Sequence, residues 1–113
     1  MPEHTIKTSF FEYIQNNSGG SWFLSEGKGI GHVVWIEAVD AKFADGIAED
    51  LGLYFDGCDT GRDCDCCGDR WRRASIGWVE VMGSLEEITK QPRAHTHNTA
   101  YVHFLDRTFQ KII

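Results

Sequence analysis

The sequence predicts an α+β domain: a small mixed or mainly antiparallel sheet of about five strands with one principal helix packed on one face. Three observations lead there. Short apolar runs recur along the 113 residues, several of them alternating with a period of two. One stretch alone carries sustained helical periodicity with a cap signal at each end. Strand and helix signals follow one another without repeats, low-complexity tracts or a linker, so residues 1–113 are expected to form a single domain. A chain of this length buries roughly two-thirds of its unfolded surface and needs no cross-links to fold.

The first run, "SFFEYIQ", puts Phe11 and Tyr13 on one face and Phe10 and Ile14 on the other, the pattern of a strand buried on both sides. "NNSGGS" breaks it as a turn or loop ahead of Trp22 and Phe23. Gly27, Gly29 and Gly31 precede the strand at residues 32–38. A phosphate-binding glycine loop follows a strand and opens a helix, so these three read as a flexible hairpin connection. The helix covers residues 40–51, "DAKFADGIAEDL", with Phe43, Ala44, Ile47, Ala48 and Leu51 in one stripe, Asp40 as its N-cap and Gly52 as the left-handed residue that ends it. With "LYF" after it, a β-α-β unit is expected. Residues 72–82 read as a strand with Ile76, Trp78 and Met82 on one face and Val79 and Val81 on the other. "SLEEITK" is a short helix with Ser84 and Glu87 as a capping box, and "AYVHFL", residues 100–105, is the last strand.

Composition narrows the function. No apolar run approaches the roughly 18 residues of a membrane span, and "MPEHTIKTSFFEYIQNN" lacks the basic start and apolar core of a signal peptide. A reducing, cytosolic location is expected, where cysteines are metal ligands, catalytic or buried more often than disulfide-bonded. The net charge of −6 argues against general nucleic-acid binding, which needs a basic face. Exposed edges of a small sheet leave a homo-oligomer open.

All four cysteines, five aspartates and three glycines fall in "YFDGCDTGRDCDCCGDRW", residues 54–71. Three chemistries compete for this loop. Cys58, Cys64, Cys66 and Cys67, with His95 and His97 of "AHTH", could complete a tetrahedral zinc site. The C-x5-C-x-C-C spacing departs from paired C-x-x-C knuckles, and the adjacent Cys66 and Cys67 are expected to point apart, so one ion would take Cys64 and one of that pair. The thiols could instead be reduced and packed in a turn-rich loop. Third, a cysteine nucleophile could be activated by Arg62 or Arg70, with His95 or His97 as base, although no triad or C-x-x-C motif is visible. Calcium is excluded: counting an EF-hand loop from Asp56 places Cys58 and Cys67 at liganding positions, soft donors for a hard cation.

The charged residues of the loop carry their own question. Asp56, Arg62, Asp63, Asp69, Arg70 and Trp71 form a candidate ligand-binding set, in which a guanidinium beside an indole could hold a carboxylate, phosphate or nucleobase. The alternative is structural: Asp69 pairs with Arg70 to brace the loop while Trp71 anchors it to the core. Likewise Arg62, Arg70, Arg72 and Arg73 either attract an anion or neutralise the neighbouring aspartates.

"GLYFDG" followed by "GRDCDCCGDRW", together with "NNSGG" before an aromatic and "IEA" leading into the helix, resembles a family of short, functionally uncharacterised proteins of tailed bacteriophages. The resemblance covers most of residues 16–71 and implies a viral origin and a location in the host cytosol, without supplying an activity. Cys64, Cys66 and Cys67 belong to the family pattern, whereas Cys58 stands where other members commonly carry another residue. The leading expectation is therefore a non-catalytic protein that binds a host protein or sequesters a small anionic ligand, with a rigid cysteine-rich loop that could hold zinc. The alternative is a zinc- or thiol-dependent enzyme using the same loop.

Overall fold

The structure, a computed structural model, describes residues 7–16, 22–76, 81–90 and 99–112. At its centre lie β1 (Ser9–Ile14) and β2 (Val33–Ala38), which pair antiparallel over their full lengths. Around them the five-stranded sheet has the order β3-β1-β2-β4-β5, with β3 at Val81–Met82, β4 at Ala100–His103 and β5 at Phe109–Lys111. Among the described residues β2 and β4 run parallel and the remaining pairs are antiparallel. The α+β fold with a mixed sheet and one main helix is as the sequence predicts.

Both central strands are apolar on both faces, and both faces are covered. Phe11, Tyr13, Val34, Ile36 and Ala38 share a core with Ala44, Ala48, Leu53, Phe55, Trp71 and Ala74. Phe10, Val33, Trp35, Ala100 and Val102 form a second core with Met82 and Ile88. The principal helix α1 (Ala41–Leu51) lies on the first face, and the short α3 (Leu85–Lys90) contributes Ile88 to the second. Ile14 departs from the expected pattern, being exposed at the end of its strand.

Helix α1 starts and stops where its caps dictate. Asp40 accepts a hydrogen bond from the Phe43 amide at 2.9 Å, a contact worth about 1 kcal/mol. At the other end Gly52 has φ 115°, and the amides of Gly52 and Leu53 satisfy the last carbonyls. The buried stripe is narrower than the sequence suggests: Ala44 and Ala48 are buried, but Phe43 is 63% exposed. Between those alanines in the sequence lies Asp45, only 5% exposed. Its carboxylate accepts the Tyr13 hydroxyl at 2.8 Å and the amides of Ala74 at 2.6 Å and Ser75 at 3.2 Å. Burial and the neighbouring carboxylate push the Tyr13 phenol well above its ordinary range, so it stays a donor.

Asp45 also explains one correction. Among the described residues the expected strand over residues 72–82 is realised as β3, while the Asp45 carboxylate collects two successive amides and turns Ala74–Ile76 into a 3-10 turn. Ile76 is exposed, and Trp78 and Val79 lie outside the described residues. "LYF" is not a strand either. The Leu53 amide is used in closing α1, and Leu53 and Phe55 drop into the first core. The parallel partner of β2 is β4, far along the chain, so the expected local β-α-β unit is absent. Strand β5, whose three residues are all exposed, carried no burial pattern to read. At α3 the Ser84 hydroxyl receives the Glu87 amide, while the Glu87 carboxylate reaches back to Gly83 instead of Ser84.

One close approach sits behind the sheet. Gly29 has φ 69°, and a side chain there would meet Phe109 and the buried His103 ring, whose Nε2 lies 2.7 Å from the Gly29 carbonyl. Burial lowers the pKa of His103 and so favours the neutral ring, while the bond to that carbonyl pulls the other way. No described helix is long and apolar enough to cross a membrane.

Replacing Asp45 with alanine strands the Tyr13 hydroxyl and the buried Ala74 amide and frees the Ser75 amide; it is expected to cost about 3 kcal/mol in urea unfolding, with Asp45→Asn losing less. An unchanged unfolding midpoint in Asp45→Ala would show that the carboxylate does not organise the turn.

Candidate metal centre in the cysteine loop

After Phe55 the chain turns sharply, with Asp56 at φ 57°, into the one-turn helix α2 (Gly57–Thr60), which Gly61 closes at φ 80°. The Gly57 carbonyl then receives the amides of Arg62 at 2.8 Å and Asp63 at 3.0 Å. This wrapping carries the Asp63 side chain inward, and nothing larger than glycine fits at position 57, where a Cβ would collide with the Asp63 carboxylate.

Asp63 is the internal post of the loop. Its carboxylate accepts the Tyr54 hydroxyl at 2.6 Å and the Arg70 amide at 2.8 Å, and lies 3.8 Å from Arg70 Nε. Arg70 Nε in turn donates to the Tyr54 hydroxyl at 2.8 Å, and Nη1 donates to Gln15 Oε1 at 2.9 Å. Burial and the Asp63 bond raise the Tyr54 pKa, with Arg70 acting against them. The brace is thus Asp63–Arg70 and not the expected Asp69–Arg70. Asp69 caps α2 instead, accepting the Cys58 amide at 2.9 Å. Trp71, 1% exposed, anchors the end of the loop in the first core as expected, and its indole N–H has no hydrogen-bond partner among the described residues.

A second set of bonds ties the loop to β1. Asn16, just past the strand, donates its amide N–H to the Arg70 carbonyl at 2.8 Å. Its side-chain nitrogen donates to the carbonyls of Cys67 at 2.7 Å and Asp69 at 3.2 Å. Gln15 grips Phe23 and Gly31 as well as Arg70.

Against this frame residues 64–68 form a single turn, with the amides of Cys67 and Gly68 both donating to the Cys64 carbonyl at 3.1 and 3.0 Å. Gly68 ends it at φ 88°. The turn gathers three sulfurs: Cys64 Sγ to Cys66 Sγ is 2.8 Å, and Cys66 Sγ to Cys67 Sγ is 3.8 Å. Cys64, Cys66 and Cys67 have all their sulfurs within 4.8 Å of one another, and this cluster could hold a metal ion. The expectation that adjacent Cys66 and Cys67 point apart is corrected here, because a tight turn brings neighbouring side chains to one side where an extended strand would separate them. Cys58 lies outside the group of three, its thiol 3.4 Å from the Cys64 carbonyl. His95 and His97 lie outside the described residues.

Proximity divides the thiols. Hydrogen bonds from Cys66 and Cys67 lower the Cys64 pKa to about 7, whereas its bond to Cys64 raises Cys66 to about 11. Partial burial and then the Asp69 carboxylate push Cys58 to about 11.

The remaining charged candidates are engaged. Asp56 pairs with Arg73 at 2.5 Å, and the Arg62 guanidinium lies 3.8 Å over the Tyr54 ring. Asp69, Arg70 and exposed Arg72 line a cleft of about 380 Å³ together with Glu12, Gln15 and Asn16. Of these, the buried Glu12 and Gln15 and the tie-forming Asn16 were not candidates from sequence. Glu12 lies inside β1 and Gln15 and Asn16 just after it, and nothing in their local pattern marks them as facing the loop.

The chain belongs to the family described as a domain of unknown function, DUF7296, whose model matches residues 8–112. No curated protein and no solved structure matches it.

Two outcomes test this geometry. Asp63→Ala removes the acceptor of the Tyr54 hydroxyl and of the buried Arg70 amide and takes a carboxylate away from the Arg70 guanidinium; it is expected to destabilise the fold by about 3 kcal/mol, with Gly57→Ala acting in the same direction by displacing Asp63. Equal unfolding midpoints for Asp63→Ala and the parent would remove Asp63 from the frame. Peptide-resolved alkylation across pH 5–10 is expected to label Cys64 with a midpoint near pH 7, ahead of Cys58 and Cys66. Identical profiles at all four cysteines would dissolve the distinction.

Proposed function

We propose that this member of the DUF7296 family is a non-catalytic binding protein whose cysteine loop holds one thiophilic metal ion, zinc by preference, and presents the stiffened loop to a partner. The observation that carries the reading is the spacing of the three sulfurs. Thiolates about 2.3 Å from one tetrahedral zinc stand about 3.8 Å apart. Cys66 and Cys67 already have that separation, all three sulfurs fall within 4.8 Å, and Cys64 and Cys66, now 2.8 Å apart, would open by about 1 Å to share the ion. Soft thiolate donors select zinc or other thiophilic ions over magnesium or calcium. Cys64, Cys66 and Cys67 would hold the ion, with the fourth position taken by Cys58, by His95 or His97, or by water. Bound zinc would cross-link the turn and draw all three sulfurs into the thiolate form.

The partner we favour is a host protein, in the cytosol of a phage-infected cell, ahead of a small anionic ligand. Arg62, Arg70 and Arg73, which an anion would need, are already turned to Tyr54, to Asp63 and Gln15, and to Asp56. The net charge of −6 suits a basic protein surface. The Cys64 thiol near 7 supports a second reading, a thiol-dependent enzyme. No described histidine or carboxylate joins the three sulfurs as a metal-ligand neighbour, which weighs against it.

Zinc analysis of protein purified under reducing conditions, with competition against a chromophoric chelator, is the test. One equivalent per chain is expected, lost in Cys64→Ser, Cys66→Ser and Cys67→Ser, with chelation lowering the melting temperature. At free zinc a hundredfold above Kd the ion contributes about 2.7 kcal/mol. Protein with all thiols reduced and no affinity for zinc, cadmium or cobalt would defeat the reading.

A further inference from the structure

The same turn carries a second chemistry that does not require an ion. We infer that Cys64 and Cys66 are an oxidisable pair, closing to an intramolecular disulfide when the loop meets a peroxide and reopening with a low-molecular-weight thiol.

The pairing follows from where the four sulfurs stand. Cys64 and Cys66 lie 2.8 Å apart, so reaching a bond of about 2.05 Å takes a shift of less than about 1 Å. Cys67 is further from Cys66, at 3.8 Å, and its carbonyl is held by the Asn16 side chain. Rearranging the 66–67 peptide into the contorted ring of an adjacent-cysteine disulfide would oppose that anchor. Cys58 is turned towards a carbonyl oxygen, and its amide is pinned by Asp69. Access is open as well: Cys66 is exposed and Cys64 half-buried, on a loop whose frame is set by buried groups beneath it.

The reaction balances with peroxide as the oxidant. One sulfur of the pair attacks a peroxide oxygen; the S–O bond forms, the O–O bond breaks, and the departing hydroxide takes up a proton as water. The second sulfur attacks the resulting sulfenic acid; the S–S bond forms, the S–O bond breaks, and a second water leaves. Two thiols lose two protons and two electrons, and one peroxide becomes two waters. Reduction runs through exchange: a thiolate such as that of glutathione opens the bond to a mixed disulfide, and a second glutathione releases it. A disulfide between positions so near in sequence is a strained ring, the class that is readily reduced.

Full-length protein, reduced and stripped of metal by a chelator, is treated with a small excess of hydrogen peroxide, blocked with N-ethylmaleimide and mapped by peptide mass spectrometry. The expected product has lost two hydrogens per chain, links Cys64 to Cys66, and is restored by reduced glutathione. Cys64→Ser and Cys66→Ser abolish it, while Cys58→Ser and Cys67→Ser retain it, each variant being checked for native circular dichroism. A 66–67 or 58–64 link, a disulfide between chains, or sulfinic acid at Cys64 without any disulfide overturns the inference. Because the protein is metal-free throughout, a chain that never binds zinc can still pass this test, and one that binds zinc can fail it.

Discussion

A carboxylate and a guanidinium withdrawn from water organise the unusual half of this molecule. Asp63 and Arg70 meet beneath the loop, joined by the Tyr54 hydroxyl and the Gln15 amide, and every strand of the loop refers to them. A buried ion pair contributes little net stability compared with apolar residues of the same size, because both charges lose their hydration. What it supplies is definition: with one partner in place there is a single low-energy position for the other. The loop passes from Gly57 around Asp63 and back through Arg70, so its path is set from within by polar bonds, although residues 59–62 and 65–67 are exposed.

That arrangement separates the roles of neighbouring residues. Arg70 and Trp71 point inward and hold; Cys66 and Cys67, a few residues earlier, point outward and are accessible. The link between the two layers is Asn16. It follows the central strand β1 and reaches the carbonyls of Cys67 and Asp69, so the positions of the sulfurs are referred to the sheet and not only to the loop's own turns. Proximity of the sulfurs is then a property of the fold, and both the metal reading and the disulfide draw on it.

How far the sequence exposed this depends on which interaction governed each segment. Where local chemistry decides, the reading holds: Asp40 and Gly52 bound the helix, Ser84 starts the next one, and the alternation through Phe10 to Tyr13 gives a strand covered on both sides. Where a distant polar group decides, it does not. Asp45 looks like one more exposed aspartate in an acidic helix, yet it faces Tyr13 and bends residues 74–76 out of a plausible strand. Asp69 adjoins Arg70 in the sequence and Asp63 does not, yet the backbone path through Gly57 turns Asp63 inward to meet it. The cysteine cluster was visible as composition, but its joint orientation was not, since adjacent residues separate in a strand and converge in a turn. Charge alone cannot report which arginines are already engaged.

The parallel pairing of β2 with β4 has a consequence for how the molecule comes into being. Val33 lies against Ala100 and Trp35 against Val102, so the innermost strand waits on a neighbour 67 positions downstream. Such distant contacts carry a large loop-closure entropy and slow the search for the native state. During synthesis the hairpin of β1 and β2 emerges early with one flank of β2 unpaired, and that flank offers bare backbone donors and acceptors to any passing strand. The C-terminal strands are therefore what seals the sheet, and a ribosome stalled short of residue 100 would leave a sticky, half-built product.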